Sequence, residues 1–175
     1  MLTRYDLTCF DLNNNDEVFV KEFENAQKLY VSNNYIYVIS GSDVSCFTHG
    51  GEEQYVNHLG NNVTEIEACQ LGNGEELVVS LEDVSMKRFK GVNVTFDYAK
   101  VVGLVNCMCW VDGGVLVGTE EGTIAYYESK KSKWKAKSTH PTFKIINWIK
   151  DGKDNVLVAR KNGTIELRDH KKGTF

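Results

Sequence analysis

Short apolar runs recur along the chain, and clusters of Gly, Asn, Asp or Ser close each one. Tyr35-Ile36-Tyr37-Val38-Ile39, Glu76-Leu77-Val78-Val79-Ser80, Val115-Leu116-Val117-Gly118 and Asn155-Val156-Leu157-Val158-Ala159 are rich in β-branched and aromatic residues. That composition between turn formers predicts strands. No window sustains apolar recurrence at three and four residues, so a strand repeat fits better than a helical solenoid. Each run is followed by a tight turn: Gly41-Ser42-Asp43, Glu82-Asp83, Glu120-Glu121-Gly122 or Lys161-Asn162-Gly163. Asn162-Gly163 is the strongest hairpin signal, since both residues accept the positive φ of a type I′ turn.

A repeated marker follows these turns. Asp6-Leu7-Thr8-Cys9-Phe10 is echoed by Asp43-Val44-Ser45-Cys46-Phe47, then by Asp83-Val84-Ser85-Met86-Lys87, Gly122-Thr123-Ile124-Ala125-Tyr126 and Gly163-Thr164-Ile165-Glu166-Leu167. Their starts lie 37, 40, 39 and 41 residues apart. One strand earlier, Gln27–Val31, Val63–Cys69, Val105–Trp110 and Phe143–Trp148 precede polar turns at Asn33-Asn34, Gly72-Asn73-Gly74, Asp112-Gly113-Gly114 and Lys150-Asp151-Gly152. A fourth strand closes each full unit at Glu53–Asn57, Val92–Phe96 and Lys133–Lys137.

Four antiparallel strands repeating at about forty residues read as a blade. The expected class is all-β: a β-propeller or partial β-propeller of repeated four-stranded antiparallel blades. A β-sandwich also uses short strands but leaves the regular spacing unexplained. Residues 1–175 form one region, with a partial leading blade at 5–23, complete blades at 27–57, 63–98 and 105–138, and three strands of a last blade at 143–169. Two arrangements accommodate this count. The region is part of a larger or split propeller, or Glu17–Phe23 completes the last blade and closes a four-bladed ring. The first is favoured, because an open array leaves edges and apolar faces that further protein must cover.

Val105–Trp110 followed by Gly118-Thr119-Glu120-Glu121-Gly122-Thr123-Ile124-Ala125-Tyr126-Tyr127 resembles the first strand, inner strand and hairpin of the WD40-repeat-like β-propeller superfamily. Asn155–Asp169 resembles it too, with Arg168-Asp169 near the place of that family's Trp-Asp ending. Phe47, Phe89, Tyr127 and Arg168 stand at or near the tryptophan place, and His49-Gly50 reverses the usual Gly-His pair. The family's Asp-His-Ser/Thr-Trp network therefore does not carry over. The resemblance implies a divergent propeller with a binding role.

Charge divides sharply along the chain. Met1–Ser85 holds 15 Asp and Glu against 3 Lys and Arg, a balance of −12; Met86–Phe175 holds 9 against 17, a balance of +8. Such asymmetry orients partners or lets the two halves attract each other. Five cysteines cannot all pair, and Cys107 and Cys109 lie among apolar residues at a spacing foreign to zinc knuckles. With no secretory leader or apolar span in the sequence, a reducing, cytoplasmic setting is expected, with the nucleus as an alternative. The sequons at Asn62, Asn93 and Asn162 are then incidental.

Little in the chain points to chemistry. His49, His58, His140 and His170 are scattered, the glycines lack phosphate-loop order, and Glu52-Glu53 and Glu75-Glu76 alternate faces on a strand. No enzyme, cofactor or metal is expected. The sharpest surface feature is Lys130, Lys131, Lys133, Lys135 and Lys137 around Trp134. On an extended strand Lys133, Lys135 and Lys137 share one face while Trp134 points inward. Such lysines can simply oppose edge-to-edge association; as a site, Lys133, Trp134, Lys135 and Lys137 are the candidate partner-binding residues. The leading functional expectation is a non-enzymatic protein–protein scaffold in a larger assembly, with other protein subunits as partners, a subunit that completes the propeller being one alternative. The alternative is a nucleic-acid-associated, ribosome-assembly-like subunit using the basic strand. A four-bladed ligand binder or hydrolase is a weaker third, and no membrane span is expected.

Overall fold

The alternation of apolar runs and turn formers resolves into seventeen strands and no helix among the described residues. The computed structural model describes residues 1–150 and 152–174. The all-β class expected from the sequence holds. The chain forms two compact units, Met1–Val63 and Thr64–Phe175.

In the first unit, β1 (Asp6–Phe10) and β2 (Glu17–Glu22) form an antiparallel pair. β3 (Lys28–Val31), β4 (Ile36–Ser40), β5 (Asp43–Phe47) and β6 (Glu53–His58) form a four-stranded meander in chain order. Leu7, Ala26, Ile36, Val38 and Phe47 close a core that Phe19 and Phe23 flank. The rings of Phe23 and Phe47 meet edge to face at 5.8 Å, an orientation that the ring quadrupoles favour. Ser40 pairs with Asp43 across Gly41-Ser42, and only Gly41 has positive φ, as in a type II′ turn.

The second unit contains three antiparallel sheets. β7 (Val63–Leu71), β8 (Gly74–Leu81), β9 (Met86–Lys90) and β10 (Asn93–Asp97) make the first. β11 (Val105–Val111), β12 (Gly114–Thr119), β13 (Thr123–Tyr127) and β14 (Trp134–Lys137) make the middle one. β15 (Thr142–Lys150), β16 (Lys153–Arg160) and β17 (Ile165–Asp169) make the last. The turn expected at Lys150-Asp151-Gly152 falls partly outside the described residues.

Packing in this unit follows from strand alternation. Successive side chains point to opposite faces, and every residue of β12 and β13 is buried. One face of the middle sheet, Val115, Val117, Ala125 and Tyr127, packs with Cys69, Val78 and Met86 of the first. The other face, Leu116, Ile124 and Tyr126, packs with Ile145, Val156 and Val158 of the last. Each fully buried aliphatic side chain contributes about 1.5–3 kcal/mol, so a sheet covered on both faces is the best stabilised element here.

The hairpins correct two sequence expectations. Asn162-Gly163 does not form a type I′ turn, since Gly163 has a φ of 88° while Asn162 is not among the residues of positive φ. Instead Gly163 N–H donates to the Arg160 carbonyl at 3.0 Å, and Asn162 Oδ1 accepts from Thr164 N–H at 3.1 Å. This longer loop, closed by one left-handed residue, is the usual alternative to a two-residue hairpin. The type I′ pattern falls at Asp112-Gly113, where both φ values are positive and Val111 pairs with Gly114.

The second correction concerns the marker at Asp83. Val84 N–H donates to the Leu81 carbonyl at 3.0 Å, as Gly122 does to Thr119 at 3.1 Å and Gly163 to Arg160. Val84 has a φ of 60°, so the repeat equivalent of Gly122 is Val84, one residue beyond Asp83. Asp83 instead braces the turn by accepting from Ser85 N–H at 3.0 Å and Ser85 Oγ at 2.6 Å.

A β-branched residue is strained in the left-handed region. Gly122 could not bear a Cβ either, which would sit 2.7 Å from the His140 carbonyl oxygen. Val84→Gly is therefore expected to stabilise the protein by about 1 kcal/mol, and Gly122→Ala to destabilise it by about 2 kcal/mol. Chemical denaturation should shift the two midpoints in opposite directions.

Candidate interaction surface

β14 is an end strand of the middle sheet and, among the described residues, pairs with β13 alone. Its register sets Thr123 against Lys137, Ala125 against Lys135 and Tyr126 against Trp134. Lys133, Lys135 and Lys137 are exposed, whereas Trp134 and Ala136 are half-buried. Lys130 and Lys131, in the preceding loop, are exposed as well. The structure thus gathers the sequence candidates on one short edge strand. It also separates their roles, because Lys133 Nζ lies 2.8 Å from both carboxylate oxygens of Glu128.

Trp134 points the other way and is held inside the unit. Its Nε1–H donates to the His170 carbonyl at 2.7 Å, and its ring lies 6.3 Å from that of Tyr126. Gly173 packs so closely that a Cβ there would meet the indole at 2.6 Å. The tryptophan positions the lysine strand against the segment after β17. His170 continues the fastening: its Nδ1 lies 2.8 Å from the Asp154 carbonyl and its Nε2 lies 3.2 Å from Asp112. Lys171 reaches the same Asp112 carboxylate at 2.7 Å. Hydrogen bonds from Lys171 and then His170 hold the Asp112 carboxyl below its ordinary pKa.

Between the middle and last sheets lies a charged cluster. The Arg160 side chain is 1% exposed. It donates to the Gly122 carbonyl at 3.0 Å, to Thr142 Oγ1 at 2.9 Å and, through Nε, to Glu166 Oε1 at 3.0 Å. Glu166 also accepts from Arg168 Nε at 2.8 Å, and Arg168 donates on to the Gly173 carbonyl. Burial alone would raise the Glu166 pKa, but the hydrogen bonds from Arg160 and Arg168 prevail and lower it. Arg168 occupies a buried position, as do Phe47, Phe89 and Tyr127.

The last sheet packs one face inward, and its other face carries an apolar row beside the exposed Lys144. The register sets Ile146 opposite Leu157 and Leu157 opposite Leu167, with Ala159 beside Ile165. Ile146 is 52%, Leu167 42% and Ile165 70% exposed. Exposed apolar rows of this kind are common at association surfaces. Sequence reasoning did not single out this face, although Ile146, Leu157, Ile165 and Leu167 stand in its strands at alternating positions.

Burial pushes the Cys69, Cys107 and Cys109 thiols up to about 12, so they stay protonated and unreactive. Among the described residues no group of His, Cys, Asp and Glu could hold a metal ion. The histidines make separate contacts, His49 with the Ser32 carbonyl, His58 with Asp43, His140 with Thr139 and His170 with Asp112.

The family profile of the ciliary BBSome complex subunit 2, middle region, matches residues 66–168. The chain belongs to that family. The BBSome complex member bbs-2 of Caenorhabditis elegans is 26% identical over 175 residues, covering 95% of this chain and 24% of the relative. The chain therefore spans about a quarter of the length of this curated relative. The crystal structure of the WD40 β-propeller domain of Doa1 superposes with a TM-score of 0.78 at 11% identity, over 97% of this chain and 60% of that one. The computationally designed Ika8 protein gives 0.71 at 13% identity, over 91% and 51%. At such identities the likeness is one of fold, β-propeller-like and WD40-related. The family is that of a subunit of a ciliary complex.

The Glu166 cluster makes a pH prediction. A carboxyl whose folded pKa is depressed adds stability above its unfolded value, and that stability is lost as pH falls through the folded pKa. The wild-type melting temperature should therefore fall as pH drops below about 4.5, the ordinary Glu value. Glu166→Gln should start lower at pH 7 and fall less steeply over that acid range, as measured by thermal melts across pH.

Proposed function

We propose that this chain is a scaffold segment of a BBSome-type complex subunit and forms part of a larger β-propeller. The apolar outer face of its last sheet seats a further sheet of that propeller. The carrying observation is the contrast within the second unit. The middle sheet is apolar and covered on both faces, whereas the last sheet is covered on one and shows Ile146, Ile165 and Leu167 on the other. A sheet of this composition is stable when both faces are packed. The greater length of the curated relative, and the propeller domain that this chain matches over only 60% of its extent, support the same reading. So does the family's place in a named complex, which supports protein subunits as partners and a ciliary setting as the context.

Binding in such a scaffold needs no turnover. Stacked sheets hold strand edges and loops in fixed positions, and partners meet surfaces that are already ordered, which lowers the entropic cost of association.

The test places charge on the open face. In the full-length subunit, Ile146→Glu with Leu167→Glu should prevent recovery in the assembled complex on size-exclusion chromatography. In the isolated region the same pair should reduce self-association while leaving the circular dichroism spectrum unchanged. Normal assembly of the doubly charged subunit would overturn the reading.

A further inference from the structure

We propose that the open side of β14 is a docking edge for an acidic, extended segment of a partner protein, which joins the middle sheet as an additional strand. The inference rests on the scaffold reading above and adds the kind of partner and its mode of attachment.

The backbone supplies the first part of the argument. Ser138 N–H donates to the Gly122 carbonyl at 3.1 Å, and the register continues through Ala136 opposite Ile124 and Trp134 opposite Tyr126. Hydrogen-bonded pairs alternate along an antiparallel ladder. Trp134 and Ala136 therefore turn their N–H and C=O groups toward β13, and Lys135 and Lys137 turn theirs to the open side. That edge is a template for strand addition.

Charge supplies the second part. The side chains of Lys133, Lys135 and Lys137 are exposed beside this edge, with Lys130 and Lys131 just before it. The fourth strands of the other two four-stranded sheets, β6 and β10, contain no lysine or arginine. Among these fourth strands, then, the basic stripe belongs to β14 alone. Lysines along an edge repel a second copy of the same edge and accept carboxylates, so one feature rejects one strand and selects another. Glu128 already holds Lys133 at 2.8 Å, which leaves Lys135 and Lys137 as the principal contacts.

Rigidity supplies the third. Trp134 fastens the opposite face of β14 through the His170 carbonyl, Tyr126 and Gly173. The docking strand is ordered before a partner arrives, so only the incoming segment has to be immobilised.

The experiment uses fluorescence anisotropy with a short labelled peptide alternating Glu and Thr, titrated with the protein at low salt. Wild type should bind it. Lys135→Glu with Lys137→Glu should weaken binding at least about tenfold, and Lys90→Glu, on a different sheet, should change it little. A peptide N-methylated at alternate residues should bind as weakly as the wild-type peptide does to the double variant, because it cannot form the ladder. Equal binding of the methylated peptide would overturn strand addition. Equal or tighter lysine-dependent binding of single-stranded RNA or anionic vesicles would overturn the acidic-peptide assignment. Lys135→Gln with Lys137→Gln serves as a second variant if charge reversal disturbs folding. Incorporation of the full-length lysine variant into its complex is scored separately: intact assembly with lost peptide binding sustains this proposal, and intact assembly with unchanged peptide binding refutes it without touching the scaffold reading.

Discussion

A β-sheet that is apolar on both faces has to be covered on both, and the second unit is organised around that requirement. In β12 and β13 the usual alternation of apolar and polar positions disappears, because odd and even residues alike meet a neighbouring sheet. Burial of this kind is non-directional and scales with area. It explains why sheets whose sequences diverge can keep one architecture. Cys107 and Cys109 behave in this setting as small hydrophobes, and Tyr126 combines a buried ring with a hydroxyl that donates to the Val111 carbonyl at 3.1 Å.

Polar contacts then fix how the sheets meet. Arg160 reaches from the end of β16 to the Gly122 carbonyl in the β12–β13 hairpin and to Thr142 at the start of β15. Glu166 holds it from β17 and is itself held by Arg168. Removing one member of such a cluster leaves an uncompensated buried charge, which is costlier than the net worth of the intact cluster. The buried Arg160 guanidinium thereby ties the neighbouring sheets together. Trp134 and His170 perform a related task at the outer edge, where they fasten β14 to the segment following β17.

Much of this fold could be read from the sequence, for definite physical reasons. Strands such as Val115–Gly118 and Asn155–Ala159 declared themselves because β-branched runs bounded by turn formers have few other stable uses. The spacing of the turns was legible because glycine recurs where the chain needs positive φ, at Gly122 and Gly163. Val84 escaped because valine seldom adopts that conformation, so the marker was aligned on the neighbouring Asp83. The turn at Asn162-Gly163 was misread since its dipeptide also suits a longer loop with one left-handed residue. The lysine stripe was legible from alternation along one strand. The anchoring of Trp134 was not, because its partners His170 and Gly173 are distant in sequence. Arg160, Glu166 and Arg168 escaped as a cluster for a related reason, since their pairing depends on a strand register that residue type does not reveal.

On the reading proposed above, covering both faces governs stability, and the last sheet is the one that a further sheet would cover. Native-state hydrogen exchange tests it most directly, because it reports the free energy of opening strand by strand. In the isolated 175-residue chain, amides of β12 and β13 should exchange slowest and those of β16 and β17 distinctly faster. In the full-length subunit, β16 and β17 should approach the protection of β12. Equal protection of β12 and β17 in the isolated chain, or no gain at β16 and β17 in the longer protein, would contradict it.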